Sequence, residues 1–483
     1  MMQIKSTIAA LLVFSILAGT SNGFAQDRKA KRNVLLIMTD DCNVDLGCYG
    51  HDLVKTPNID KLAARGMRFE RAYCQYPVCN PSRASMMTGL FPDQTGVIAN
   101  RNNFRDKLPD VVTMPQMFQN AGYWTGRVGK IYHYNVPMQI GEDGMDDAAS
   151  WDQVVNPRGI DREVHDQIHT LKKGQFGGTL SWLDLKSKPE EHTDGIGATE
   201  AIKLLEQRHP KETGQPFFLT VGFYRPHTPY VAPSEFFDMY PQDQIKPVME
   251  KEGDRDDIPL AAQMDRPRQR GLSIEKRKEI IQAYYASISM MDQQVGRVLN
   301  AVDRLGLREN TTIVLVSDHG YHLGAHGLWQ KGDLFEGSCQ VPMVISDPDL
   351  PSGKATSSLV GLIDIYPTLG EIANVPIPKH VLGKSLVPVL EDESATVNDQ
   401  IFTMSVSRAR WTHKEFTKEA VKGYSIRTPR YRYTRWGNGK FGHELYDYQA
   451  DPDEFSNMAN LPKHKSLVKD LQSQLKPMIQ YAQ

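Results

Sequence analysis

Asn33-Val34-Leu35-Leu36-Ile37-Met38-Thr39-Asp40-Asp41 decides the fold. An apolar run without polar alternation reads as a strand buried on both faces of a mostly parallel sheet. It ends in two adjacent aspartates. Two further runs share this texture: Pro216-Phe217-Phe218-Leu219-Thr220-Val221-Gly222, and Thr312-Ile313-Val314-Leu315-Val316-Ser317, which continues into Asp318-His319-Gly320. Helical stretches separate them. Residues 57–65 have Thr56 as cap, proline at the first helical position and Gly66 as stop, and a long helix is expected over 273–305. Alternation of strand and helix indicates a wound α/β sheet. Such sheets bind ligands outside the carboxyl ends of their strands, where Asp40-Asp41 and Asp318-His319 both stand. That shared position is the first reason to pair them.

At 483 residues the chain exceeds one small core and suits a large α/β domain with a smaller companion. Past about residue 385 the texture changes. Residues 403–407, 424–427 and 431–435 read as short antiparallel strands, and a last helix is expected over 465–481. The division expected is 26–385 for the α/β domain and 386–483 for an α+β subdomain. The charge-dense stretch 246–270 reads as a surface excursion over the sheet. Residues 1–25 read as a signal peptide, with Lys5 as the positive start, an apolar segment over 8–18 and Gly23-Phe24-Ala25 as a small-x-small cleavage site. The apolar segment is short for a membrane span. The expectation is therefore a secreted or periplasmic protein that is not inserted in the membrane after cleavage.

Lysine and arginine total 56 against 58 aspartate and glutamate, for a net charge of −2. No basic excess marks a nucleic-acid partner, although a local basic pocket for an anionic substrate fits inside a neutral total. The five cysteines, Cys42, Cys48, Cys74, Cys79 and Cys339, are too sparse for a disulfide scaffold, and their number is odd.

Cys79 opens Cys79-Asn80-Pro81-Ser82-Arg83. A cysteine at a helix start near an arginine can be an activated thiolate, while a buried structural cysteine is the commoner fate. By chance, C-x-P-S-R arises on the order of once in a thousand chains of this length, which outweighs the commoner fate. With Gly89 six residues on, the pentapeptide resembles the maturation signature of type I, formylglycine-dependent sulfatases. The resemblance runs from Asn33 to beyond Asp451 and is closest to the iduronate-2-sulfatase branch. The segments that carry it are Gly129-Lys130-Ile131-Tyr132-His133, Tyr224-Arg225-Pro226-His227, Ser317-Asp318-His319-Gly320 and Gly423-Tyr424-Ser425-Ile426-Arg427-Thr428.

The resemblance implies an alkaline-phosphatase-like sulfatase fold, with a large mixed, mostly parallel sheet between helices. It implies that a formylglycine-generating enzyme converts Cys79 to formylglycine (3-oxoalanine), the nucleophile. Asp40, Asp41, Asp318, His319 and the modified Cys79 would hold one divalent cation, which neutralises the charge of a sulfate monoester. Oxygen-rich ligation favours Ca2+ or Mg2+ over zinc, and the resemblance implies Ca2+. His227 matches the family's leaving-group acid and His133 the residue assisting the second step. Lys130 and Lys331 match the lysines that bind sulfate oxygens, and Arg83 matches the residue that holds nucleophile and metal ligands in place. The loop over 100–107 and Arg225 are expected to face the sugar, Arg225 pairing with a uronate carboxylate. The implied substrate is a sulfated saccharide, in the iduronate branch the 2-O-sulfate of a uronic acid. Other readings stay open: another sulfated polysaccharide, phosphonate or phosphate monoester hydrolysis on the same fold, a thiol hydrolase using Cys79, and a secreted glycan-binding protein without activity.

Overall fold

The computed structural model describes residues 31–264 and 266–480. The expected signal peptide lies outside the described residues, as does Tyr481. Nine strands form the large sheet: β1 (Asn33–Asp40), β2 (Met67–Tyr73), β3 (Trp124–Gly129), β4 (Gln153–Val155), β5 (Phe217–Pro226), β6 (Thr311–Ser317), β7 (Gln340–Val341), β8 (Met343–Ser346) and β9 (Lys354–Gly361). Their order is β7-β2-β8-β6-β1-β5-β3-β4, with β9 also on β2. The central strand β1 runs parallel to both β5 and β6, while β8 is antiparallel to β2 and β6. The sheet is thus mixed and mostly parallel.

The opening stretch behaves as its texture demands. Leu35 and Ile37 enter one hydrophobic core, and Val34, Leu36 and Met38 enter the other. The first core holds the long helix α4 (Ile274–Arg304) and α3 (Thr193–Gln207); the second holds α2 (Cys79–Thr88). Helix α1 (Pro57–Ala63) has Pro57 at its first turn, as expected. Ser273 caps α4 by accepting from the Lys276 amide.

A four-stranded antiparallel sheet follows, from β10 (Ile401–Val406), β11 (Lys422–Arg427), β12 (Tyr431–Trp436) and β13 (His443–Asp447). The helix α5 (Lys465–Gln480) packs on it through Val468, Leu471 and Leu475. Leu386, Val389 and Leu390 pack in the core of the large sheet, so the packing boundary lies nearer Ile401 than residue 386. The 246–270 stretch corrects an expectation: Ile258, Ala261, Ala262 and Met264 are buried with Phe335, Trp436 and Tyr446 between the two parts. A handful of apolar side chains inside a charged segment is enough to anchor it. Among the described residues, no helix is long and apolar enough to cross a membrane.

Candidate active site

The carboxyl ends of β1 and β6 meet the first turn of α2. Asp40, Asp41, Cys79 and His319 each offer one ligand atom, and these atoms all lie within 4.8 Å of one another, fully buried. Cys79 is the first residue of α2, so its side chain stands at the positive end of a helix dipole. Its Sγ lies 3.3 Å from His319 Nε2 and 3.9 Å from Asp41 Oδ1. Asp41 adopts φ +64°, a left-handed conformation uncommon outside glycine. Tyr284 Oη donates to its carbonyl at 2.7 Å and holds that turn.

Arg83 is the organiser of this corner, with no exposed surface. Its Nε donates to Asp318 Oδ2 at 2.8 Å, Nη1 to the carbonyls of Lys130 and Ile131 at 2.7 and 2.9 Å, and Nη2 lies 3.3 Å from Asp40 Oδ1. Asp318 adjoins the four-residue cluster rather than joining it. Its Oδ1 accepts from the amides of Asp41 and His319, and its Oδ2 is held by Arg83. Lys130 enters from the end of β3, where Gly129 turns the chain at φ +72°; a Cβ there would stand 2.1 Å from the Gly222 carbonyl oxygen. Lys130 Nζ pairs with Asp40 and Lys331 Nζ with Asp41, and Lys331 Nζ is also 3.3 Å from Cys79 Sγ.

The electrostatics follow from burial and these neighbours. Desolvation raises the Asp40 carboxyl, but Lys130, His227 and Arg83 outweigh it and hold its pKa well below the usual value. Burial, with Asp40 and Asp318 beside it, pushes Asp41 up despite Lys331. Burial and Asp40 drive the Cys79 thiol well above its ordinary value, so a cysteine here is a protonated thiol at neutral pH and a poor nucleophile. Loss of water lowers His319 to about 4. Its Nδ1 faces the Gly320 carbonyl at 2.9 Å, which leaves a neutral Nε2 lone pair toward the cluster, as a metal ligand requires.

The donor set fits a hard cation. Asp40 Oδ1, 3.3 Å from Arg83 Nη2, and Asp41 Oδ2 are buried without a hydrogen bond, and buried carboxylate oxygens with unfilled acceptor capacity suit a further positive partner. His133 and His227 stand close enough to the cluster that Lys130, Asp40 and Lys331 act on both. Both ring nitrogens of His133 are buried without a hydrogen bond. His227 Nδ1 is paired with the Thr228 carbonyl at 2.5 Å, and its Nε2 lies 3.8 Å from Asp41 Oδ2. Burial lowers both imidazoles well below their usual value.

Arg225 corrects the sequence reading. It is 1% exposed, its Nη2 donates to Asp161 Oδ2 at 2.6 Å, and its Nε donates to the Val231 carbonyl at 3.0 Å. Its charge is already matched inside the fold, so it does not face a sugar. The loop over 100–107 divides. The Asn80 side chain donates to the carbonyls of Ala99, Asn100 and Asn102, which fixes that half against the nucleophile's helix. Arg105 instead pairs with Asp147, and Phe104 stacks on Tyr132. Sequence reasoning passed over Tyr284 and Arg408; only the run Arg408-Ala409-Arg410-Trp411, cationic and aromatic together, offered a signal for the second.

Buried carboxylates, a basic lining and a helix start gathered at strand ends define a hydrolase of anionic esters. Residues 32–375 match the sulfatase family and residues 324–481 match the family described as N-sulphoglucosamine sulphohydrolase, C-terminal. The chain belongs to the sulfatase family and is a sulfuric ester hydrolase. It is 33% identical to a sulfatase of Formosa agariphila, over 92% of this chain and 86% of that one. It is 32% identical to iduronate 2-sulfatase of Mus musculus, over 91% and 93%. In fold it matches a protein solved in complex with its substrate D-glucosamine-2-N,6-O-disulfate, at a TM-score of 0.73 and 22% identity, covering 94% of this chain and 98% of that one. The architecture is the alkaline-phosphatase-like fold of sulfatases.

Proposed function

We propose that this sulfatase removes the 2-O-sulfate of a uronic acid in a sulfated saccharide, outside the cell or in the periplasm. A formylglycine derived from Cys79 would act as nucleophile, and Asp40, Asp41, His319 and position 79, with Asp318 beside them, would hold one Ca2+. The observation that carries this reading is the setting of Cys79: a helix start, buried between two carboxylates, an imidazole and the Lys331 ammonium. A thiol so placed stays protonated, which disfavours a thiol hydrolase. A formylglycine would supply an oxygen nucleophile there, and a bound Ca2+ would neutralise sulfate charge and polarise its oxygens.

The chain's own residues supply the rest. Lys130 and Lys331 carry the positive charge that draws in the sulfate, and the dipole of α2 adds to it. With Nδ1 engaged by the Thr228 carbonyl, His227 turns Nε2 toward Asp41, and when protonated there it gives that proton to the departing sugar oxygen. His133, with neither nitrogen engaged, is the second acid–base group. Arg83 acts through others: it fixes Asp318, Asp40 and the Lys130 carbonyl without reaching the substrate. The 32% identity to iduronate 2-sulfatase supports the uronate assignment, and the fold neighbour bound to a sulfated sugar supports a saccharide.

The mass of the tryptic peptide containing residue 79 tests the nucleophile. Formylglycine lowers it by roughly 18 Da, and an unchanged mass in active enzyme refutes the mechanism. Cys79→Ala is expected to abolish turnover while keeping the melting temperature. Rates on 2-O-sulfated uronate and 6-O-sulfated glucosamine saccharides test the sugar; a preference for the glucosamine ester would overturn the uronate assignment.

A further inference from the structure

A cavity of about 440 Å3 opens beside the nucleophile, between the catalytic domain and the C-terminal sheet. On one side stand Val78, next to Cys79, and the segment 98–102; on the other stand β10 and the residues after it. Its walls are tied together. Tyr76 Oη donates to the Ile98 carbonyl at 3.0 Å and accepts from the Val406 amide at 3.0 Å. Asn80, one residue past the nucleophile, holds the 99–102 backbone by three hydrogen bonds.

The lining is cationic. Arg101, Arg408 and Arg410 all face this cavity, and no lining residue is acidic. Arg408 spends one N–H on the Lys331 carbonyl at 3.1 Å, which sets its guanidinium next to the lysine that touches Cys79 Sγ. Gly332 makes room for it: a Cβ there would stand 2.9 Å from Arg408 Cζ. Arg410 Nε is buried without a hydrogen bond. Its guanidinium lies over the Trp411 ring, 4.0 Å from the centroid, and that indole is 67% exposed. A half-buried guanidinium with an N–H lacking an acceptor can receive an anion, and an exposed indole beside it offers an apolar face for a sugar ring.

We infer that this cavity is the subsite for a second anionic group of the substrate, a carboxylate or a further sulfate on the saccharide whose scissile sulfate faces Cys79. Arg408 and Arg410 bind the charge, and Trp411 covers a sugar face. The inference rests on the saccharide reading above and deepens it, because the arginine that a uronate would need is not Arg225, which is matched to Asp161 inside the fold.

The test uses matured, Ca2+-loaded enzyme and a ratio of kcat/KM values. One pair of substrates is a 2-O-sulfated uronate saccharide and its carboxyl-reduced analogue; a second pair is a disulfated and a monosulfated glucosamine. Wild type is expected to favour the doubly charged member of at least one pair by on the order of tenfold or more. Arg410→Met and Arg408→Met should each collapse that ratio through KM, and Trp411→Ala should raise KM for both members of the pair. Melting temperatures check that the variants fold. A ratio near one in wild type, or one unchanged in both arginine variants, overturns the inference. Selectivity for the second sulfate alone, lost in the arginine variants, supports the subsite while removing the uronate assignment, so the two can fail separately.

Discussion

Replacing Arg225 by methionine separates a structural arginine from a substrate-binding one. Arg225 and Asp161 are 1% and 2% exposed and meet at 2.6 Å. Burial raises the Asp161 carboxyl, but Arg225, His192 and the hydrogen bonds from Thr193 together outweigh it and the net pKa is lowered. Removing one partner of a buried pair leaves the other uncompensated, at a cost of about 3–5 kcal/mol. Asp161 keeps two hydrogen bonds from Thr193, which favours the lower end. Unfolding entropy of about 2 cal/mol/K per residue gives roughly 1 °C per kcal/mol for a chain this long, hence a fall of about 3–5 °C in melting temperature. Asp161→Asn should cost a similar amount, and the double variant should be no worse than either single one, because the pair is lost only once. Arg225 Nη1 also lies 3.4 Å from the His227 carbonyl. Turnover of aryl and uronate sulfates should therefore fall by a common factor, with their kcat/KM ratio constant within about twofold. Differential scanning fluorimetry and steady-state kinetics read both quantities. A selective KM rise on uronate esters at an unchanged melting temperature would refute the reasoning and return Arg225 to the sugar.

Arg83→Met strips Asp318 and Asp40 of a buried guanidinium and is expected to destabilise by about 3–5 kcal/mol; a wild-type melting curve contradicts this. Chelation should abolish sulfate ester hydrolysis and Ca2+ should restore it, with Mg2+ less effective; full activity after exhaustive chelation rules out the metal. Burial raises Glu444 from 4.5 to about 7 although Trp436 Nε1 and Tyr446 Oη donate to it. The folded chain holds that proton more tightly than the unfolded one, so this contribution is complete below about pH 4.5 and about 3 kcal/mol of it is lost as pH rises through 7. Glu444→Gln should flatten the decline in melting temperature between those values, and superimposable pH profiles would count against it.

The central strands were legible because their signal is local. Val34, Leu36 and Met38 face one core while Leu35 and Ile37 face the other, and only a doubly covered strand tolerates such a run. Strand ends then put Asp40, Asp41 and Asp318 in one place. Strand β2, with charged Arg68, Glu70 and Arg71 between its buried residues, and β13, with His443, Glu444 and Asp447 beside Leu445 and Tyr446, carry no such texture. Arg225 was misread because its partner Asp161 lies 64 residues away in sequence; a lone arginine beside a site histidine looks the same whether paired inside or offered outward. The Arg408–Trp411 run was overlooked since nothing local ties β10 to Lys331; only tertiary packing does.

The pentapeptide from Cys79 to Arg83 is sealed inside the protein, all five residues buried and Arg83 wholly enclosed. An enzyme that reads those side chains and oxidises the thiol has no access to them once the sheet and α2 have closed. On the proposed mechanism, conversion of Cys79 would belong to the interval before folding. Folding and maturation are then in a race. On that mechanism, chain that folded first would keep its thiol until it unfolded again.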